Sequence, residues 1–440
     1  MRAQPLRCLV TGATGYIGGR LVPRLLDAGF AVRALARTPA KLADVPWRDR
    51  IEVARGDLGD PASLDAAFDD VDVVYYLVHS MGFEKDFAAE ERRAALNVVT
   101  AARKAGVRRI IYLSGLHPEN SELSTHLGSR TAVGEILIAS GIETIVLQAG
   151  VVVGSGSASF EMIRHLTDRL PVMTTPKWVH NKIQPISIGD ALYYLVAAAA
   201  CPVPKSRTWD IGGPDVLEYG GMMQIYAEVA GLPHRHILVL PVLTPRIAAL
   251  WVGLVTPIPG GLARPLVQSL HCDAVMRNHD IDTIIPPPEG GLTHYRESVE
   301  EALAQVARGE VETTWNTGTA AILPSDPGWA GEVVYTDTRA RHTSATPEQL
   351  WKAVEGNVPD GWKVMESEPG RKLKLRADPR GPGSRWLEIR VTPEGSGSKY
   401  EQRAIFYPRG LLGRLYWHAG RPLQGRALDR QVRTVTSSVS

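Results

Sequence analysis

Cysteine is scarce in this chain. Its 440 residues hold three, Cys8, Cys201 and Cys272, too few and too far apart for a disulfide framework or a metal-ligand spacing. A reducing cytoplasm is the expected compartment, and no metal site is expected. An excess of one charge is lacking as well. Lys and Arg number 49 against 47 Asp and Glu, and a net charge of +2 gives no reason to expect nucleic acid. The longest apolar stretch, residues 237–255, is broken by Pro241, Pro245 and Arg246 and is too interrupted to span a bilayer. A buried helix is expected there. A peripheral membrane or protein-partner surface at 237–261 is the alternative, kept open by Trp251, Leu254 and Val255. The first seven residues lead straight into an apolar strand, so no signal peptide is expected. At this length, with 44% hydrophobic and 22% charged residues, two soluble domains are expected.

What the chain does have is glycine in a telling place. Gly12, Gly15 and Gly18 are evenly spaced between the apolar run Cys8-Leu9-Val10 and a helical pattern beginning at Arg20-Leu21-Val22. Strand, tight turn and helix start form a site for the phosphates of a dinucleotide. The first glycine permits the turn, the second lets the backbone approach the pyrophosphate, and the third lets helix and strand pack closely. Gly12, Thr14, Gly15, Tyr16, Ile17 and Gly18 are therefore the predicted cofactor loop. Strand patterns at 7–10, 31–34, 51–54, 71–78, 109–114 and 144–149 alternate with helical ones at 18–28, 61–68, 86–105 and 130–140. This alternation calls for an α/β fold, a Rossmann-like doubly wound parallel sheet. Gly29, Gly106 and Gly141 follow three of the helices, where a left-handed cap favours glycine.

The residues after the second strand bear on cofactor choice. A carboxylate about twenty residues past the glycines accepts from ribose hydroxyls and selects NAD. Here Arg37 stands in that place, with Lys41 just beyond. A guanidinium suits a 2′-phosphate, so NADP(H) is expected over NAD(H). Asp57 and Leu58, after the third strand, are expected near the adenine. Val78 and His79, at the end of the fourth, are expected near the nicotinamide ribose.

The glycine motif, Gly56-Asp57-Leu58, Tyr112-Leu113-Ser114-Gly115 and Leu147-Gln148-Ala149-Gly150 resemble the extended and atypical short-chain dehydrogenases/reductases. The resemblance is strongest to NmrA-like proteins and the nucleotide-binding accessory subunit of respiratory complex I. It covers about residues 5 to 290 and implies a Rossmann-like domain with a smaller substrate lobe. The segments at 184–190 and 209–214 match the framework of that lobe. The resemblance also implies a catalytic serine, at Ser114, followed by Tyr-x-x-x-Lys. That pair is missing: no lysine of the chain has a tyrosine four residues before it. His126 and Arg130 stand at the corresponding spacing. A histidine can shuttle protons near neutral pH, whereas an arginine can hold a ribose hydroxyl but cannot deprotonate. The expectation is a protein that binds nicotinamide dinucleotide and has weak or absent redox activity. One alternative is an NADPH-dependent reductase of an apolar carbonyl, quinone or isoprenoid using Ser114 and His126. The other is a redox-sensing or assembly scaffold.

Pro286-Pro287-Pro288-Glu289-Gly290-Gly291 marks a boundary. A nucleotide-binding domain with its lobe is expected over 1–290 and a linker or strap over 291–331, with a short helix at 295–308. Residues 332–420 are expected to form a smaller α+β unit. Its strand, helix, antiparallel meander and final helix resemble the START-like and polyketide-cyclase helix-grip domains, which hold an apolar small molecule. The apolar pattern of the final helix fades after Trp417, so 421–440 is expected to be a disordered tail.

Overall fold

The computed structural model describes residues 5–43, 45–78, 87–119, 123–239, 256, 266–309, 335–377, 381–395, 397–408 and 410–439. They fall into two compact units, the first made of most of residues 1–312 and the second chiefly of 332–440.

In the first unit, strands β1 (Arg7–Thr11), β2 (Ala31–Ala36), β3 (Glu52–Arg55), β4 (Val73–Tyr76), β5 (Arg109–Gly115) and β6 (Glu143–Ala149) build the central sheet. After the short pieces β7 (Val152–Val153), β8 (Val172–Thr175), β9 (Lys182–Ile183) and β10 (Ile186–Ser187), strand β11 (Arg207–Ile211) completes it. All seven strands are parallel, in the order β11-β6-β5-β4-β1-β2-β3. Both faces must then be covered, and the strands are correspondingly apolar on both sides. On one face Cys8, Val10, Tyr75, Ile111 and Ile145 pack with Leu21 and Leu25 of helix α1 (Tyr16–Asp27). On the other, Leu9, Val74, Ile110 and Val146 pack with Val98 and Ala102 of the helix Phe87–Ala105. The strand order reverses between β1 and β4, and ligands of open α/β sheets bind beyond the strand ends at such a point. Gly29, Gly106 and Gly141 each follow a helix with a positive φ. Burial, and then the charge of Asp72, push the Cys8 thiol up to about 12, so it serves as a core side chain.

The helices in chain order are α1, the short α2 (Asp65–Phe68), α3 (Phe87–Ala105), α4 (Thr125–Ile138), α5 (Ala158–Arg169), α6 (Ile188–Ala198), α7 (Tyr219–Val229) and α8 (Tyr295–Gly309). Helix α4 starts earlier than the predicted 130–140 because the Ser124 hydroxyl caps it, accepting from the Leu127 amide at 3.2 Å. His126 and Arg130 thereby fall in its first turns. Helix α8 belongs to the first unit and not to a linker: Tyr295 and Val299 are buried, and the Tyr295 hydroxyl donates to the Met222 carbonyl at 3.2 Å. The predicted lobe framework is tied through Gln184, which donates to the Gly213 carbonyl at 2.8 Å and accepts from the Met276 amide at 3.0 Å. Short strands β12 (Leu217–Glu218) and β13 (His236–Val239) pair with β9 and β8. Beyond residue 239 and apart from Thr256, the 237–261 segment lies outside the described residues.

The second unit runs β14 (Tyr335–Thr343), α9 (Pro347–Gly356), β15 (Trp362–Glu368), β16 (Lys372–Ala377), β17 (Gly383–Glu394), β18 (Gly397–Pro408) and α10 (Gly410–Ser437). Its antiparallel sheet has the order β14-β18-β17-β16-β15. Period-two alternation sends Leu373, Leu375, Leu387, Ile389, Val391 and Tyr400 to one face. There they meet Leu350, Trp351 and Val354 of α9 and Leu428, Val432 and Val435 of α10. Helix α9 starts with a capping box of Thr346 and Gln349. The expected disordered tail is corrected here: α10 continues through it to Ser437. Its anchors are three apolar residues at helical spacing, set among arginines, so the stripe is too narrow to raise the local hydrophobicity.

Candidate functional site

The strand ends at the reversal point open into a cleft of about 1310 Å³. Pockets for one small ligand are usually about 300–1,000 Å³, so this one has room for more than one molecule. Gly12 turns the chain with φ +76°, and a Cβ there would lie 2.9 Å from the Leu77 carbonyl oxygen beyond β4. The Thr11 hydroxyl fixes that approach, donating to the Tyr75 carbonyl at 2.9 Å and accepting from the Leu77 amide at 3.1 Å. A Cβ on Gly18 would meet the Gly12 carbonyl oxygen at 2.2 Å. Gly15 is the N-cap of α1, and no side chain caps that helix start. The amides of the first turn are thus left for an anion.

Gly12, Thr14, Gly15, Tyr16, Ile17 and Gly18 all line the cleft, as do Arg37, Asp57, Leu58 and Val78. Arg37 is exposed, as a group meant for a ligand phosphate would be. Asp57 bends its own loop, its Oδ1 accepting from the Gly59 amide at 2.9 Å. Lys41 sits exposed on the turn Pro39–Leu42, outside the residues that line the cleft. His79 lies outside the described residues.

Ser114, His126 and Arg130 line the same cleft. The two smaller side chains are buried, Ser114 to 4% exposure and His126 to 6%. Arg130 is fixed from below: its Nη2 donates to the Leu113 carbonyl at 2.7 Å, and its own carbonyl accepts from the Tyr112 hydroxyl at 3.3 Å. Its Nε is buried without a hydrogen-bond partner among the described residues, an arrangement that suits an acceptor arriving with a ligand. Burial raises the Tyr112 phenol above its ordinary value, against the opposing pull of Arg130, so it stays protonated at neutral pH.

Several lining residues were not foreseen from the sequence. Phe87, Glu90 and Arg93 come from α3. The neighbouring Glu91 is buried and accepts from the Ser129 hydroxyl of α4, tying the two helices together. The far end of the cleft is walled by Met162, Ile163, Ile183, Tyr219, Leu266 and Leu270. Among the described lining residues from Gly150 to Ala274 none is charged. Behind the site, His117 accepts at Nε2 from the Gln148 amide at 3.0 Å, which leaves its Nδ1 to donate to the Pro118 carbonyl at 3.1 Å. Gln148 in turn accepts from Arg277 at 2.9 Å, and Arg277 is paired with Asp210. His117 thus helps to brace the β6 and β11 ends. The sequence signals for this network were the Leu147-Gln148-Ala149-Gly150 string and the 209–214 segment that holds Asp210.

The comparisons accord with this geometry. A family described as NAD(P)H-binding matches residues 12–150, and a family described as a protein of unknown function (DUF2867) matches 356–428. The chain is 30% identical over 200 residues to a ceramide reductase of Caulobacter vibrioides, covering 44% of this chain and 61% of that one. It thus spans less than two thirds of that relative's length. It is also 30% identical over 234 residues to a (4-alkanoyl-5-oxo-2,5-dihydrofuran-3-yl)methyl phosphate reductase of Streptomyces griseus, covering 52% of this chain and 75% of that one. The fold is similar to that of Citrobacter sp. triphenylmethane reductase complexed with NADP(H), with a TM-score of 0.54 and 22% identity over 68% of this chain and 100% of the other. Among the described residues no helix is long and apolar enough to cross a membrane.

Proposed function

The chain belongs to the NmrA-like and short-chain dehydrogenase/reductase-like superfamily of NAD(P)H-binding reductases, and from that premise we propose that it is an NADPH-dependent reductase of an uncharged, largely apolar carbonyl or quinone. One observation carries the reading. Ser114, His126 and Arg130 share a cleft with the glycine loop, and that cleft continues into a wall without charged side chains among its described residues.

The glycine positions, the uncapped start of α1 and the buried Arg130 Nε all fit a dinucleotide. In this reading the Gly12–Gly18 loop holds the pyrophosphate, Arg37 the 2′-phosphate, Leu58 the adenine and Arg130 a ribose hydroxyl. When bound, the nicotinamide supplies the hydride. The residues of the chain orient the acceptor and provide the proton. Arg130 cannot give up a proton at any accessible pH, so its role is positional. Ser114 donates a hydrogen bond to the substrate oxygen, and His126 delivers the proton to it. Without a tyrosine held by a lysine the proton step is slow, and modest turnover is expected. The missing pair also favours a second reading, a redox-sensing scaffold that holds the cofactor without turnover.

Loss of reduced-nicotinamide absorbance, followed with quinones, aromatic aldehydes and apolar ketones, tests the proposal. Oxidation above the enzyme-free rate with at least one of these classes, faster with NADPH than with NADH, is the expected result. Calorimetric NADPH binding with no oxidation across the panel would overturn it in favour of the scaffold.

A further inference from the structure

Helix α10 carries two different stripes. Its sheet-facing side holds the buried Trp417, Leu428, Val432 and Val435. On the opposite side, Leu412, Tyr416, Ala419, Arg426, Arg430 and Arg433 follow one another in steps of three, four or seven, and Leu415 lies beside the first two. These positions share one face of a helix. That face is open to solvent: Leu412 is 73% exposed, Leu415 57% and Tyr416 42%, the last with one side of its ring against Phe406 at 5.7 Å, and the three arginines are exposed too. The first turns are therefore apolar on both sides, an arrangement that ordinarily means both are covered. The later turns are cationic. Asp429, the one acidic residue of the helix, is engaged by Arg339 at 2.6 Å. No ion pair holds Arg426, Arg430 or Arg433 among the described residues. Beside them, between β14 and α10, lies a groove of about 280 Å³ lined by Arg339, Arg341 and Arg433 together with Asp429.

We propose that the outer face of α10 docks on an anionic lipid surface, with Leu412, Leu415 and Tyr416 entering the boundary between headgroups and acyl chains and Arg426, Arg430 and Arg433 lying over lipid phosphates. The stretch from 412 to 433 is about 30 Å long, and it presents an apolar insert and a cationic strip side by side, the pairing that holds interfacial helices on acidic membranes. A second copy of the chain fits this face poorly. A two-fold contact with parallel helices sets arginines against arginines, and an antiparallel one sets the apolar turns against the arginines.

Co-sedimentation of the full chain with vesicles of phosphatidylcholine alone, or mixed with phosphatidylglycerol, tests the proposal. Binding is expected with the mixed vesicles, weak with the neutral ones, and falling steeply with salt. Replacing the three arginines, R426Q with R430Q and R433Q, should weaken it by about a hundredfold. Replacing the two most exposed apolar residues, L412S with L415S, should also release the protein. The residues changed in both variants are exposed, so Tm and NADPH affinity should stay at wild-type values and report that the chain is folded. A wild-type protein that stays in the supernatant with mixed vesicles at low salt overturns the proposal, as does sedimentation indifferent to both sets of substitutions. A dimer in solution that the apolar variant dissolves would also overturn it and assign the face to self-association.

Discussion

The parallel sheet of the first unit and the antiparallel sheet of the second treat their ends and faces differently. In the parallel sheet every strand runs the same way and the helices lie on the faces, so the ends of β1, β4 and β5 are left together at one edge. Gly12, Leu77 and Ser114 come to surround a cleft there. In the antiparallel sheet the strands return through hairpins, and Leu373, Leu387 and Ile389 run directly into α9 and α10. The first unit gains its site from side chains that are missing, the glycines at 12, 15 and 18. The second gains its order from side chains that are present, down to three apolar residues in an arginine-rich helix. One substitution should therefore destroy function in the first unit, and another should destroy stability in the second.

The largest effect is expected from Gly18→Val. The Gly12 carbonyl oxygen would lie 2.2 Å from the new Cβ, and backbone cannot swing aside as a side chain does. Nucleotide binding should vanish, and Tm should fall with it. Retained NADPH affinity by calorimetry would mean that the loop is not the phosphate site. Next in size is Leu428→Ala in the second unit, which should cost about 2–5 kcal/mol of that unit's stability and leave NADPH affinity unchanged. An unchanged denaturation midpoint would return residues 421–440 to the status of a dispensable tail.

A smaller change sharpens the account of the cleft itself. Arg37→Asp should reverse the preference for NADPH over NADH, since a charge-assisted contact contributes about 1.5–3 kcal/mol, on the order of tenfold or more. Equal affinities in the wild type would remove Arg37 from the site.

The smallest concerns the start of α8, where Asp215 accepts from the Tyr295 amide at 2.7 Å and faces His294 at 2.9 Å. The hydrogen bond and charge of Asp215 raise the imidazole above its ordinary 6.5. Its contribution is present below that value and fades as pH rises through the folded-state pKa. An NMR titration of His294 should show the raised midpoint, and Asp215→Asn should bring it back down.

What was legible in the sequence divides along the same line. The glycine loop, Arg37 and Asp57 could be read because a turn, a helix start and a strand end are local, and their chemistry depends on a few consecutive residues. Ser114, His126 and Arg130 were picked out through the resemblance to the short-chain dehydrogenases/reductases, and the structure brings all three to the cleft. Glu90 and Arg93 of α3, and Met162 and Leu270 of the lobe, reach the site through long-range packing that leaves no mark on their neighbours in the chain. The tail misled because a helix lying on a sheet needs only one narrow apolar stripe, and composition averages that stripe away.

The central claim is that proton delivery in this cleft has passed to His126, while the nucleotide end keeps the chemistry of its superfamily. It is tested most directly by measuring NADPH oxidation and NADPH affinity side by side in the wild type and in His126→Ala, with the best acceptor from the panel. The account predicts an affinity unchanged within about threefold and a turnover lower by about a hundredfold or more. Turnover in His126→Ala equal to that of the wild type would contradict it.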